Sequence, residues 1–65
     1  MKELKRFENN ERLVKLIYNE DSKEYTVLIL TRDGKSKGEI YKSKIWAERK
    51  FLDYKNNPLE SLRVK

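Results

Sequence analysis

This chain has 65 residues, neither cysteine nor histidine, and sixteen Lys and Arg against eleven Asp and Glu, for a net charge of +5. That excludes disulfide staples, thiolate and imidazole metal sites and a histidine base, and it leaves one small basic domain near the lower size limit for a self-sufficient core. No apolar run approaches the ~20 residues that span a bilayer, and "MKELKRFENNE" lacks the apolar centre of a signal peptide, so a cytoplasmic protein with no membrane partner is expected.

The first ten residues read as a tail or as a helical turn through Leu4 and Phe7. Arg12–Tyr18, "RLVKLIY", is rich enough in β-branched and aromatic residues for a strand, with Val14, Leu16 and Tyr18 on one face and Leu13, Lys15 and Ile17 on the other. Asn19–Lys23 is a polar turn. Tyr25–Thr31, "YTVLILT", is the strongest strand, with Tyr25, Val27 and Ile29 on one face and Thr26, Leu28 and Leu30 on the other. Asp33-Gly34 is a short hairpin signal, because both residues tolerate positive φ. Lys35–Lys42, "KSKGEIYK", carries Gly38 and few apolar residues, as an edge strand or bulge does.

Ser43 then stands where a side-chain oxygen caps a helix from Lys44 to about Asn56. At ~100° per residue, Ala47, Phe51 and Tyr54 form the stripe expected to lie on the sheet. Ile45 and Leu52 fall on another side and Trp46 on a third. Asn57, Pro58 and Glu60 are spaced to open a further short helix, from which Leu59, Leu62 and Val64 would fold back. The expected fold class is therefore α+β: a three-stranded antiparallel meander over residues 12–56, packed on one face by a helix, with a short helix or tail over 57–65. Both faces of Tyr25–Thr31 are apolar, and one helix covers one face. The terminal segments, a second copy in a homodimer or a protein partner are the candidates to cover the other.

Charge is uneven along the chain. Residues 1–33 hold seven basic and seven acidic side chains; residues 34–65 hold nine and four. Lys35, Lys37, Lys42 and Lys44 crowd the last strand and the helix start, and Arg49 and Lys50 follow on the helix. A basic patch is the electrostatic footprint of a nucleic-acid binder, and it is equally the solvated surface that keeps a small protein in solution.

"YTVLILTRDGK" followed by "YKSKIWAERKF" resembles the arm-site DNA-binding domain of tyrosine-recombinase integrases and its relative, the plant ethylene-response-factor domain. The resemblance covers residues 12–56. It implies a three-stranded sheet that enters the major groove of DNA, with a helix behind it packed through Ala47 and Phe51. This chain departs from that pattern in the apolar character of the outer sheet face, which should be polar if it reads base edges. DNA contact would then shift to the lysines and to phosphates, which carry affinity but little sequence information.

Two function classes follow. The first is a small DNA-binding accessory or regulatory protein of phage or mobile-element type, with Lys35, Lys37, Lys42, Lys44, Arg49 and Lys50 contacting duplex DNA. The second is a protein-binding module, such as a phage-type inhibitor of a host protein, anchored by Trp46, Tyr41 and Ile45. Trp46 lies off the core stripe and between lysines, where a semi-exposed indole anchors an interface. An enzyme is not expected: Glu20, Asp21 and Glu24 cluster only in a turn, Gly34 and Gly38 are hairpin glycines rather than a phosphate cradle, and the chain is too short to enclose a substrate pocket. No cofactor, metal or small-molecule substrate is implied.

Overall fold

A computed structural model describes residues 2–57 of the chain. The elements are β1 (Lys2–Glu8), β2 (Arg12–Asn19), β3 (Glu24–Thr31), β4 (Ser36–Tyr41) and α1 (Lys44–Asn56). The strands form one antiparallel sheet in the order β1-β2-β3-β4, and α1 lies across β2 and β3 and reaches β4. The α+β class and the meander are as expected. The sheet has four strands rather than three, because the N-terminal segment is an edge strand and not a tail or a helical turn.

The reason for that difference is a bulge. Leu4 and Phe7 stand three apart, which reads as a helical face; in a regular strand they would point to opposite sides. The β1–β2 register slips between Glu3 and Lys5, leaving Leu4 as the extra residue. Leu4 and Phe7 thereby both pack against the core, on the helix side of the sheet. They do not cover the other face. Leu59, Leu62 and Val64, offered for the same task, and the short helix after Asn57 lie outside the described residues.

The core is built from alternate residues of the two central strands and one helical stripe. Val14, Leu16, Val27 and Ile29 meet Ala47, Phe51 and Tyr54, all fully or nearly fully buried. Each large side chain so removed from water stabilises the fold by roughly 1.5–3 kcal/mol. Ala47 lets the helix approach the sheet closely, and the Phe51 and Tyr54 rings fill the space on either side.

Two of the expected local devices differ in detail. The β3–β4 connection is a four-residue loop, Arg32–Lys35, in which Gly34 alone has positive φ, at 91°. Thr31 closes it: its N–H donates to the Lys35 carbonyl at 2.8 Å, its carbonyl accepts from Gly34 N–H at 3.0 Å, and its hydroxyl donates to Asp33. A type I turn followed by one left-handed residue matches strand twist as well as a two-residue turn does. Ser43 is the N-cap residue, but its side chain makes no capping bond; its backbone carbonyl accepts from Ala47 N–H at 3.1 Å. The β2–β3 turn places Lys23 at φ 57°, a left-handed position filled by a residue with a Cβ.

The helix C-terminus is closed by a residue that the sequence did not single out. Arg12 shares the inward phase of Val14 and Leu16, and it is buried. Its Nη1 donates to the Tyr54 carbonyl at 2.7 Å and to the Asn57 carbonyl. A guanidinium here satisfies carbonyls that have no partner within the helix and lies at the negative end of the helix dipole. Lys55 adds a second cation in the last turn, 5.1 Å from the centre of the Phe7 ring.

Candidate interaction surface

The strand register fixes which cations share a surface. Lys35 stands in the β3–β4 loop, at the end where Arg12 meets the helix C-terminus. Lys42 and Lys44 stand past the other end of β4, roughly 20 Å away at about 3.3 Å per residue. Lys37 pairs with Ile29 across the ladder, so its side chain rises on the helix side of the sheet. The six cations expected to bind DNA are therefore spread along both ends and one flank, not gathered into one ridge.

Several of them also have internal partners. Glu39, two residues beyond Lys37 on the same face, carries the Lys37 ammonium at 3.7 Å and the Lys50 ammonium at 3.6 Å. Lys50 also reaches Asp53 at 3.6 Å. Lys35 lies 3.9 Å from Asp33. The Arg49 guanidinium sits over the Trp46 ring, 5.1 Å from its centre. Lys42 and Lys44 are exposed and make no salt bridge among the described residues.

Glu39 is the hub that joins β4 to α1. It accepts hydrogen bonds from the Tyr41 hydroxyl and, at 3.2 Å, from the Tyr54 hydroxyl. The Tyr41 hydroxyl, the Lys50 and Lys37 charges and the Tyr54 hydroxyl hold its carboxyl below the usual glutamate range, against the opposing effect of burial. Burial, and then the Glu39 carboxylate, push Tyr41 up to about 12. Tyr54 is raised by the same causes. Both phenols thus stay protonated donors far above neutrality, and the arrangement fixes rings rather than activating them.

Above this hub runs a shallow open groove of about 540 Å³. Tyr41 borders it on the sheet side. Trp46, Arg49, Lys50 and Asp53 line its helical wall, and Leu52 extends that wall outward. Ile45, Trp46 and Leu52 are 68%, 58% and 49% exposed. Spacings of three, four and seven residues from Ile45 and Trp46 bring Arg49 and Leu52 onto one outward face, so α1 is apolar on two sides, one buried and one not. Trp46 and Tyr41 thus come together at one groove, while Ile45 lies outside it on the adjoining helix face. Leu52 was legible as off the core stripe; its place beside Arg49, three residues before it, follows from the same periodicity. Glu39 left a fainter signal, an acid in phase with Tyr41 on a lysine-rich strand.

The far side of the sheet is different. Leu13, Ile17 and Leu28 are half-buried, and Leu30 and Ile40 are exposed. Glu3, Arg6 and Glu8 of β1 share this face, and Lys15 is held by Glu3 at 3.8 Å. No arginine, asparagine or glutamine of β2, β3 or β4 projects from its centre. No helix among the described residues is long and apolar enough to cross a membrane. Comparison with known proteins finds no matching family model, no matching curated relative and no matching solved structure.

Proposed function

We propose that this chain is a non-enzymatic protein-binding module of the cytoplasm that docks a partner on the outer flank of α1. One observation carries the reading: Trp46 is mostly exposed, braced by Arg49 and faced across a groove by Tyr41. Trp, Tyr and Arg dominate the binding energy of protein interfaces, because they bury large areas in well-packed, desolvated contacts while keeping a polar group. The Arg49 contact, about 0.5–1 kcal/mol at an exposed site, favours one placement of the indole before a partner arrives and so lowers part of the ordering cost of association. Arg49 is the cation of this wall with no acidic partner among the described residues, and Lys44 stands exposed at the helix start nearby, so the complementary partner is an acidic segment with an apolar or aromatic anchor. The same logic fits an inhibitor of a host protein.

The test is selection of acidic, aromatic-bearing displayed peptides against the intact domain, followed by nuclear magnetic resonance mapping. Shift changes should centre on the Trp46 indole and on Tyr41, Arg49 and Leu52. Trp46→Ala should weaken binding by about 2 kcal/mol, the range of an interface anchor, without unfolding the chain. Binders whose shifts map only to the open sheet face, or that ignore Trp46→Ala, would refute the reading.

Duplex DNA remains the second reading, supported by the exposed Lys42 and Lys44 beside the helix start. With Lys37 and Lys50 engaged by Glu39 and Lys35 at the far end, Lys42, Lys44 and Arg49 remain to contact phosphates at this end of the molecule. Log affinity should then fall with log salt at a slope of about −3. Absence of binding at ~50 mM salt, where phosphate contacts are strongest, removes this reading and leaves the first intact.

A further inference from the structure

The two edges of the sheet are unlike. On β1, Lys2, Glu3, Lys5, Arg6 and Glu8 are exposed charges, and the bulge at Leu4 breaks the line of the strand. Both devices discourage another strand from pairing there. On β4 the register with β3 runs without a slip from Ser36 to Tyr41. Its ladder starts with the Thr31 N–H bond to the Lys35 carbonyl. Antiparallel alternation then turns the backbone of Lys37, Glu39 and Tyr41 toward β3, and the N–H and C=O groups of Ser36, Gly38 and Ile40 outward. No described strand lies beyond them, and the Ile40 side chain is 63% exposed.

We propose that β4 pairs with β4 of a second copy of this chain, antiparallel about Gly38, joining two four-stranded sheets into one. The charges select this register. With Gly38 opposite Gly38, Lys37 of each chain faces Glu39 of the other, and Ser36 faces Ile40. All of the outward N–H and C=O groups of Ser36, Gly38 and Ile40 are then paired. Sliding by two residues in one direction sets Lys37 against its own copy; sliding in the other sets Glu39 against its own copy. Both alternatives place like charges directly opposite, which destabilises a strand pair. A one-residue slip turns the partner's side chains to the wrong face.

Gly38 fits the centre of such a junction. A Cβ there would stand 2.7 Å from Leu28 Cδ2, so the Leu28 side chain already leans over the strand toward its free edge. In the pair, Leu28 of each copy covers the glycine junction from the open face. The two helices lie on the same side of the joined sheet, because the two-fold axis is perpendicular to it. The inference does not depend on what the Trp46 groove binds.

The test is sedimentation equilibrium of the intact chain from low micromolar concentration to about 1 mM, the weak end of specific affinity. The mass should rise from 7.9 kDa toward twice that value. Ser36→Pro, which removes an outward N–H without touching the β3 ladder, should weaken association at least about tenfold with the far-ultraviolet spectrum unchanged. Lys37→Glu alone should also sediment as a monomer, as should Glu39→Lys alone, and an equimolar mixture of the two should recover the dimer because only the mixed pair is complementary. A folding defect cannot produce that recovery, and if Glu39→Lys fails to fold, Ser36→Pro and Lys37→Glu decide the matter. A parent chain that stays monomeric throughout overturns the proposal. So does association that survives Ser36→Pro but is lost in Leu30→Lys, which would run through the open face instead.

Discussion

Val14, Leu16, Val27 and Ile29 are buried, while Leu13, Ile17, Leu28 and Leu30, their neighbours in the same two strands, are half-buried or exposed. The two sets differ little in hydrophobicity. They differ in what lies above them. α1 rests on the first set through Ala47, Phe51 and Tyr54, and the second set is shielded mainly by its ladder neighbours, Leu13 by Leu30 and Ile17 by Thr26. Apolar character thus gives each face an equal claim to burial, and helix placement decides between them. Arg12 and Glu39 belong to the covered side as well, and they fix the helix at its end and along its flank.

The comparison breaks most visibly if the two faces tolerate truncation equally. Leu16→Ala should cost ~2–5 kcal/mol by urea unfolding, because a large side chain with no exposure leaves a cavity. Leu28→Ala should cost about 1 kcal/mol or less, since its half-exposed site opens to water instead of a void. Similar losses at both positions would mean that the open face is covered in solution.

Arg12→Met tests whether the covered side owes its order to the polar clamp as much as to packing. It keeps the aliphatic stem and removes the bonds to Tyr54 and Asn57. About 1–3 kcal/mol should be lost, the cost of leaving partly buried carbonyls without donors at a helix end. Arg32→Met, which loses only exposed contacts, should stay within about 0.5 kcal/mol of the parent.

Leu28→Lys sharpens the account of the open face. A lysine stem can lie over Gly38 with its ammonium in water, so the chain should fold with a loss of about 1 kcal/mol. Failure to fold would reveal a cover on that face.

Glu39 gives the covered flank a pH signature. Its carboxyl is lowered in the fold, so its contribution is fully present above the unfolded value of 4.5 and is lost as pH falls through the lower folded value. Thermal melts should show stability dropping on the acid side of 4.5, and Glu39→Gln should flatten that drop. Tyr41 acts with the opposite sign: its pKa is raised from 10.0 to about 12, so its contribution holds below 10.0 and fades as pH climbs toward 12. Tyr41→Phe should reduce that alkaline loss and leave the part that Tyr54, raised by the same causes, contributes.

The smallest effect expected is at Lys23, remote from both faces. Glycine relieves the left-handed strain there but widens the unfolded ensemble, so Lys23→Gly should stabilise by about 0.5 kcal/mol in the same unfolding assay. A loss instead would mean that the Lys23 side chain makes a contact worth more than its strain.

The sequence by itself determined three strands, the helix and its buried stripe, because period-2 runs, a Gly-centred hairpin and the Ala47–Phe51–Tyr54 spacing are local signals within one element. It also marked Trp46 and Leu52 as apolar residues off that stripe. Only the tertiary structure decided the rest. Leu4 and Phe7 have helical spacing, and they face the core together only because a bulge, formed against β2, inserts one residue between their phases. Arg12 reads as the polar start of a strand until the helix C-terminus, some forty residues on, arrives beside it. The lysines after Asp33 look like one patch because sequence distance hides extent: a strand carries its two ends apart, so Lys35 and Lys42 stand at opposite ends of β4, and Lys37 between them is engaged by Glu39. Which sheet face is covered, and which edge is left regular enough to accept another strand, are properties of packing between elements, and no single element contains them.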